Sequence, residues 1–399
     1  MKRGAPVAIS GMGCLSAAGM SLEENMTSLF AGKRHAAPPE RFTSSHPSRY
    51  PVFEILRDAS HERTPGNKDI LRTCRLGLLA ADEALRDAGL APEDLTGARV
   101  GVCMGTTVGS TMTDEGFYRN FRAGMRPGMA MIERFLRSNP ASVIAREFGL
   151  KGPCHTVVNA CSSGTDAIGI GASWIRSGIC DIVIAGGADE LCRVTYNGFI
   201  SLMITDDSPC RPFDRDRKGL NLGEGAAILV LESDRILEKR KKRARGFVLG
   251  YGSACDGYHL TAPSPEGKGL RNALADALRE SGKRAGDIAF INAHGTATRD
   301  NDRTEAKVLA DIFPGTPFLS TKGYTGHTLG AAGAIEAALT IACLEAGMIP
   351  ANAGLVTPDP ELGIAPVIEN TNISKPIAIS DSLAFGGHNA ALVLGLEGA

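Results

Sequence analysis

Cys161 stands in the run Asn159-Ala160-Cys161-Ser162-Ser163-Gly164-Thr165-Asp166-Ala167. A β-rich stretch, His155 to Val158, precedes it, and small residues in a helical pattern, Ala167 to Ile175, follow. The order predicts a strand-to-helix turn, with the thiol near a helix N-terminus. Free backbone N–H groups and the helix dipole there favour thiolate over thiol, lowering a pKa that is ~8.5 in a free cysteine. The same N–H groups could hold the oxyanion of a thioester. Taken alone, a cysteine of this kind is more often buried and inert.

Three further segments carry polar groups that could act with it. Asn292-Ala293-His294-Gly295-Thr296-Ala297-Thr298, followed by Asp302 and Glu305, comes after the expected strand Asp287 to Ile291. That puts His294 at a strand's C-terminal end, where catalytic groups gather in α/β proteins. Thr296 and Thr298 are turn formers or hydroxyl donors to an amide-rich substrate arm. In Ser320 to Glu336, small residues from Gly330 to Ala334 permit close helix packing, yet Lys322, His327 and Glu336 are polar. A buried lysine needs a paired charge, and Glu336 is the candidate. Near the C-terminus, Phe385-Gly386-Gly387-His388-Asn389 sets glycines beside an aromatic ring, as a tight turn or as a loop gating an apolar channel.

Composition narrows the classes. The chain has 399 residues, 43% hydrophobic, with a net charge of -1. That length buries a large core, and the charge does not fit a dedicated binder of nucleic acid or membrane surface. Ten cysteines without regular spacing or a Cys-x-x-Cys fit a reduced, cytoplasmic protein. Cys154, His155 and Cys161 lack a second ligand pair at zinc-like spacing, so no metal site is expected. No Gly cluster forms a nucleotide-binding fingerprint. No signal-peptide core is present, and no run is expected to reach the ~18 apolar residues that span a bilayer.

These residues need a scaffold, and the pattern supplies one. Arg99 to Gly105 and Asp181 to Gly186 read as buried strands; Leu76 to Ala88 and Ala273 to Ser281 read as amphipathic helices. The alternation predicts an α/β architecture. Residues 84–107 and 277–297 both give a helix end, a turn, a strand and Gly-Thr. Residues 7–13 likewise echo 247–252, and the small-residue helix of Cys161 to Gly178 echoes His327 to Gly347. Three echoes in one order predict two related halves, 1–245 carrying the cysteine and 246–399 carrying the histidines. The basic run from Glu238 to Arg245, at their junction, reads as a solvated helix end and linker.

Taken together, the four segments resemble the elongating β-ketoacyl-acyl-carrier-protein synthases, condensing enzymes of the thiolase superfamily. The opening Gly11-Met12-Gly13, the run Arg211 to Arg217 and Gly223-Glu224-Gly225-Ala226 extend the likeness nearly end to end. It implies a thiolase-type duplicated fold in five layers, α-β-α-β-α, as a homodimer or as a heterodimer with a related synthase subunit. It implies acyl transfer from a carrier protein to Cys161, decarboxylation of malonyl-carrier protein assisted by His294 and His327, and carbon attack on the acyl-cysteine. The backbone N–H groups of Cys161 and Phe385 would form the oxyanion hole, with Gly386 beside them. Lys322 and Glu336 would organise charge, Thr296 and Thr298 would contact pantetheine, and Asp302 and Glu305 would support the region. No cofactor is implied.

Initiating synthases pair cysteine with His and Asn, and thiolases use a second cysteine; Thr325-Gly326-His327 favours the elongating type. Two stretches depart from the family. Asp381-Ser382-Leu383-Ala384-Phe385-Gly386-Gly387-His388-Asn389 replaces Asn-Ser-Phe-Gly-Phe-Gly-Gly-Thr-Asn, and Gly105 to Ser110 also differs. Both border the acyl pocket in relatives, which favours a specialised polyene or polyketide pathway over housekeeping fatty acid synthesis. The alternatives are a CoA-dependent thiolase-like acyltransferase and a non-catalytic subunit that sets chain length. Lys68, Arg72 and Arg75 are candidates for a basic dock for the acidic carrier protein, or an ordinary solvated helix face.

Overall fold

The computed structural model describes residues 4–57, 67, 69–109 and 114–399. Ten strands form its main sheet. They are β1 (Val7–Ser16), β2 (Val100–Gly105), β3 (Cys154–Val157), β4 (Ile182–Asp189) and β5 (Gly225–Glu232), then β6 (Gly246–Cys255), β7 (Phe290–Asn292), β8 (Phe318–Leu319), β9 (Ile377–Leu383) and β10 (His388–Gly395). Their order is β8-β7-β9-β10-β6-β1-β5-β4-β2-β3. Each half therefore repeats one order, third-second-fourth-fifth-first, and the halves meet where β1 and β6 pair antiparallel through Val7 to Ile9. The directions repeat as well. In each half the second strand lies parallel to the third and fourth, and the fifth is antiparallel to its neighbours.

Helix α1 (Arg72–Ala88) covers β1, and α3 (Lys268–Ser281) covers β6. Between the half-sheets lie α2 (Ser163–Arg176) and α5 (Ala332–Ala346), which pack on each other; α4 (Arg299–Ile312) follows β7. The result is an α-β-α-β-α stack, with one apolar cluster at its centre and one under each outer helix. The echo between residues 7–13 and 247–252 has a steric cause. A Cβ at Gly11 or Gly13 would stand 2.3 Å and 2.1 Å from the carbonyls of Ala84 and Ala80. One at Gly250 or Gly252 would stand 2.2 Å and 2.0 Å from those of Ala277 and Ala273. Both outer helices lie directly on strand backbone, which only glycine permits.

Several expectations need correction. Residues Leu329–Ala346 form 18 residues of continuous helix with mean hydropathy 1.5, long and apolar enough to cross a bilayer by composition. Their window is 89% buried inside the fold, so this is the central core helix, apolar all round because protein surrounds it. The strand expected over Asp287 to Ile291 lies at Phe290–Asn292, since residues 285–287 close a short 3₁₀ turn. The basic run at the junction is more than a solvated linker. Arg240 pairs with the buried Glu232 and donates to the Ala88 carbonyl at 2.6 Å, while Arg245 holds Asp87 at 2.7 Å and Glu345 at 2.5 Å.

Candidate active site

The turn that presents Cys161 is built by short-range polar contacts. Ala160 takes a left-handed φ of 48°, and Ala160–Ser162 form a 3₁₀ turn leading into α2. Ser163 Oγ accepts the Asn159 N–H at 2.8 Å and donates to the Ala160 carbonyl at 2.6 Å. Asp166, in the first turn of α2, accepts from Asn159 Nδ2 and Ser162 Oγ, both at 2.9 Å, and from the Tyr251 hydroxyl at 2.7 Å. The end of β2 presses against this turn, for a Cβ on Gly105 would lie 2.3 Å from the Ser163 carbonyl carbon. Cys161 is 4% exposed.

Both histidines reach it. His327 Nε2 lies 2.9 Å from Cys161 Sγ, and the two imidazoles stand edge to face with centroids 5.2 Å apart. The Leu329 N–H donates to His327 Nδ1 at 3.3 Å, and Lys322 Nζ lies 3.0 Å from His294 Nδ1. With a donor facing each Nδ1, the proton of each neutral ring belongs on Nε2. Burial depresses both histidines' pKa values well below normal, and the Lys322 charge pushes them further down, with His327 adding to the effect on His294. Both rings are therefore neutral N–H donors at physiological pH. Lys322 also donates to the His294 carbonyl at 2.6 Å and pairs with Glu336, the pairing expected from sequence; both side chains are 2% exposed.

The expected lowering of the Cys161 pKa is overturned. Burial pushes the thiol up to about 11; the Lys322 charge and the Phe385 backbone N–H pull it down without prevailing, while Glu336 and Asp189 add to the rise. The position beside a helix N-terminus does not by itself make a thiolate, because desolvation of a buried anion is the larger effect.

The segment after β7 is pinned by carboxylates. The His294 N–H is shared between Glu305 Oε1 at 2.6 Å and Asp381 Oδ1 at 2.9 Å, and Glu305 Oε2 accepts the Gly295 N–H at 2.8 Å. Burial raises the Glu305 pKa, and Asp381 raises it further. Asp302 accepts the N–H groups of Phe213 at 2.7 Å and Ala297 at 3.2 Å, two residues held at φ 62° and φ 67°. The buried Arg217 lies 3.4 Å from Asp302, and burial lifts this carboxyl to about 6. Ala297 separates Thr296 and Thr298, whose hydroxyls are 2.8 Å apart. Asp381, Asp166, Asp189 and Arg217 were not singled out from sequence as site residues; Asp166, Arg217 and Asp381 lie inside runs picked out in the sequence, and Asp189 carried no signal.

Cys161, His294, His327, Thr296, Thr298, Phe385 and Leu383 line one cavity of about 270 Å³. The Phe385 ring stacks on Phe199 with centroids 5.7 Å apart. Gly386 takes φ 84° and its N–H donates to the Leu260 carbonyl at 2.8 Å, so its backbone donor is already used. Cys161 Sγ and one nitrogen of each histidine lie within 4.8 Å of one another, a spacing that a soft metal ion could use. The Lys322 ammonium against His294 opposes a cation there. Of the proposed basic dock, Lys68 lies outside the described residues, as does Ser110 of the second departing stretch. Arg75 is exposed, but Arg72 is spent on the fully buried Glu224 at 2.7 Å and on the Ile55 carbonyl at 2.8 Å. Arg72 is a structural ion pair and not part of a solvated docking face.

A duplicated five-layer α/β stack with a buried cysteine facing two neutral histidines defines a condensing acyltransferase of the thiolase fold. The family model "Beta-ketoacyl synthase, N-terminal domain" matches residues 4–235, and "Beta-ketoacyl synthase, C-terminal domain" matches residues 245–356. A 3-oxoacyl-[acyl-carrier-protein] synthase 2 from Synechocystis sp. is 32% identical, with 97% of each chain covered. The protein of that name from Staphylococcus aureus strain N315 is 33% identical, covering 98% of this chain and 99% of the relative. Among solved structures, "The ishigamide ketosynthase/chain length factor" superposes with a TM-score of 0.91 at 33% identity, covering 99% of this chain and 100% of that one. The chain belongs to the β-ketoacyl synthase family.

Proposed function

We propose that this β-ketoacyl-acyl-carrier-protein synthase carries its acyl chain on Cys161 and uses His294 and His327 to decarboxylate malonyl-carrier protein. The observation that carries the reading is the convergence of Cys161 Sγ with the two imidazoles, each with Nδ1 occupied, which leaves Nε2–H as the donor, His327 Nε2 already lying against Cys161 Sγ. First the Cys161 sulfur attacks the acyl thioester, and its proton leaves with the carrier's pantetheine thiol. The N–H groups of Cys161 and Phe385 stabilise the oxyanion. Malonyl-carrier protein then loses CO2; the electron pair of the broken C–C bond passes to the thioester oxygen, where two Nε2–H donors receive it. The enolate carbon attacks the acyl-cysteine, the C–S bond breaks, and the released Cys161 thiolate takes up a proton from solvent. Lys322 with Glu336 keeps His294 neutral and oriented, and Asp302 with Glu305 positions the threonines for pantetheine.

This reading divides the chain into halves 1–245 and 246–399, the first supplying Cys161 and the second the histidines. It places a specialised polyene or polyketide substrate in the pocket, since Leu383, Ala384 and His388 stand where the resemblance calls for Phe, Gly and Thr. It makes the enzyme a cytoplasmic dimer, either of two copies or of this chain with a chain-length-factor partner like the one named with the ishigamide ketosynthase. Strand β3 is a sheet edge with exposed Cys154 and His155, and the segment 115–137 exposes Tyr118, Phe121, Met129 and Leu136, which supports pairing. The test is incubation of the purified protein with malonyl-carrier protein and a panel of acyl-carrier proteins. CO2 release with a β-ketoacyl product is expected; condensation of CoA thioesters without CO2 release would replace this reading with the thiolase-like one.

A further inference from the structure

We propose that Asp189 is a positioning residue that clasps the Cys161 turn to the His327 turn and so sets the thiol–imidazole pair. The proposal rests on the condensing reading above and assigns that reaction a residue outside its Cys-His-His set. Asp189 ends β4 and is fully buried. Its Oδ1 accepts the Thr106 hydroxyl at 2.7 Å, and its Oδ2 accepts the backbone N–H groups of Thr107 and Gly330, each at 2.7 Å. These donors come from two segments far apart in sequence, one continuing β2 and the other leading into α5.

Each segment reaches a reacting group in one further step. Thr107 Oγ1 donates to the carbonyl of Ala160, the strained residue before Cys161, at 3.2 Å. Gly330 follows Leu329, which is itself left-handed at φ 54° and whose N–H fixes His327 Nδ1. The segments touch backbone to backbone, since a Cβ on Gly330 would lie 2.5 Å from the Thr106 carbonyl carbon. A buried carboxylate is a costly way to fill such a gap. Burial lifts its pKa to about 6 while the Thr106 hydroxyl and the backbone N–H groups hold it down, and its charge makes Cys161 harder to ionise. Stability alone does not account for that choice; accepting from two chain segments at once does, because an apolar residue would leave two backbone N–H groups unpaired.

Asp189→Leu keeps the branched shape but removes every acceptor, leaving the Thr107 and Gly330 N–H groups unpaired. We expect kcat for condensation to fall on the order of 100-fold, as for a small misplacement of reacting groups. KM for both carrier-protein substrates should stay within about twofold, the split expected of lost positioning. Alkylation of Cys161 by iodoacetamide should not fall with kcat, since removing the anion eases ionisation. A kcat within about threefold of wild type, or kcat and alkylation falling together, overturns the clasp. Thr106→Val and Thr106→Ser test it independently should Asp189→Leu misfold: the valine should lower kcat and the serine restore it, and equal activities sink the idea. The wild-type chain separates the two claims. If it forms no β-ketoacyl product, the condensing reading fails and the clasp with it; if it condenses and the variants match it, the clasp alone fails.

Discussion

The two halves share one strand order and one local device, yet chemistry is divided unequally between them. In each, a left-handed residue and a 3₁₀ turn lead into the central helix: Ala160 before α2, Leu329 before α5. The first turn presents Cys161, and the second orients His327. In the echo at the C-terminal end of the second strand, Met104-Gly105-Thr106 of one half matches His294-Gly295-Thr296 of the other. Where one half holds a fully buried methionine, the other holds a histidine backed by Lys322, Glu336, Glu305 and Asp381. One backbone plan thus serves as apolar scaffold on one side and charged network on the other.

Changes that erase this asymmetry should be ranked by how much of the network they remove. Lys322→Ala should have the largest effect after loss of the cysteine. It strands Glu336 in the core, at about 3–5 kcal/mol, and removes the donor that fixes the His294 tautomer; thermal unfolding and malonyl decarboxylation should both report it. His294→Met copies the methionine of the other half. It should leave a folded protein whose decarboxylation is about 10²–10³-fold slower, from the loss of one oxyanion donor, while Met104→Leu should cost less than about 1.5 kcal/mol and little activity. If His294→Met decarboxylates normally, the division between halves is structural only.

Smaller effects sharpen the picture of the pocket. With Cys161 at about 11, its alkylation rate should rise roughly tenfold per pH unit between pH 7 and 9, as the thiolate fraction grows. A plateau from neutral pH upward would mean a pre-formed thiolate. Thr298→Val should raise KM for carrier-protein substrates by about five- to tenfold through one lost hydrogen bond, and leave kcat nearly unchanged.

The duplication, the strand-to-helix setting of Cys161 and the Lys322–Glu336 pair were legible in the sequence, because each depends on residue types close in the chain or on patterns that repeat. What sequence could not supply was depth and distant partners. Helix polarity favours a Cys161 thiolate, but the opposing effect of full burial depends on the packed layers around it. Arg72 looked like a surface charge because its partner, Glu224, is 152 residues away. Asp189 was invisible for the same reason: Gly330 is 141 residues away. The helix 329–346 passed unnoticed as a long apolar element because its Gly and Ala content read as close packing.

The most direct test of the central claim is intact-protein mass spectrometry of the folded chain after incubation with acyl-carrier protein. The account predicts one acyl adduct, mapped to Cys161, discharged as β-ketoacyl-carrier protein with CO2 when malonyl-carrier protein is added, and absent from Cys161→Ala. A folded wild-type chain that takes no acyl group, alone or with a chain-length-factor partner, would contradict it and leave the chain a non-catalytic subunit.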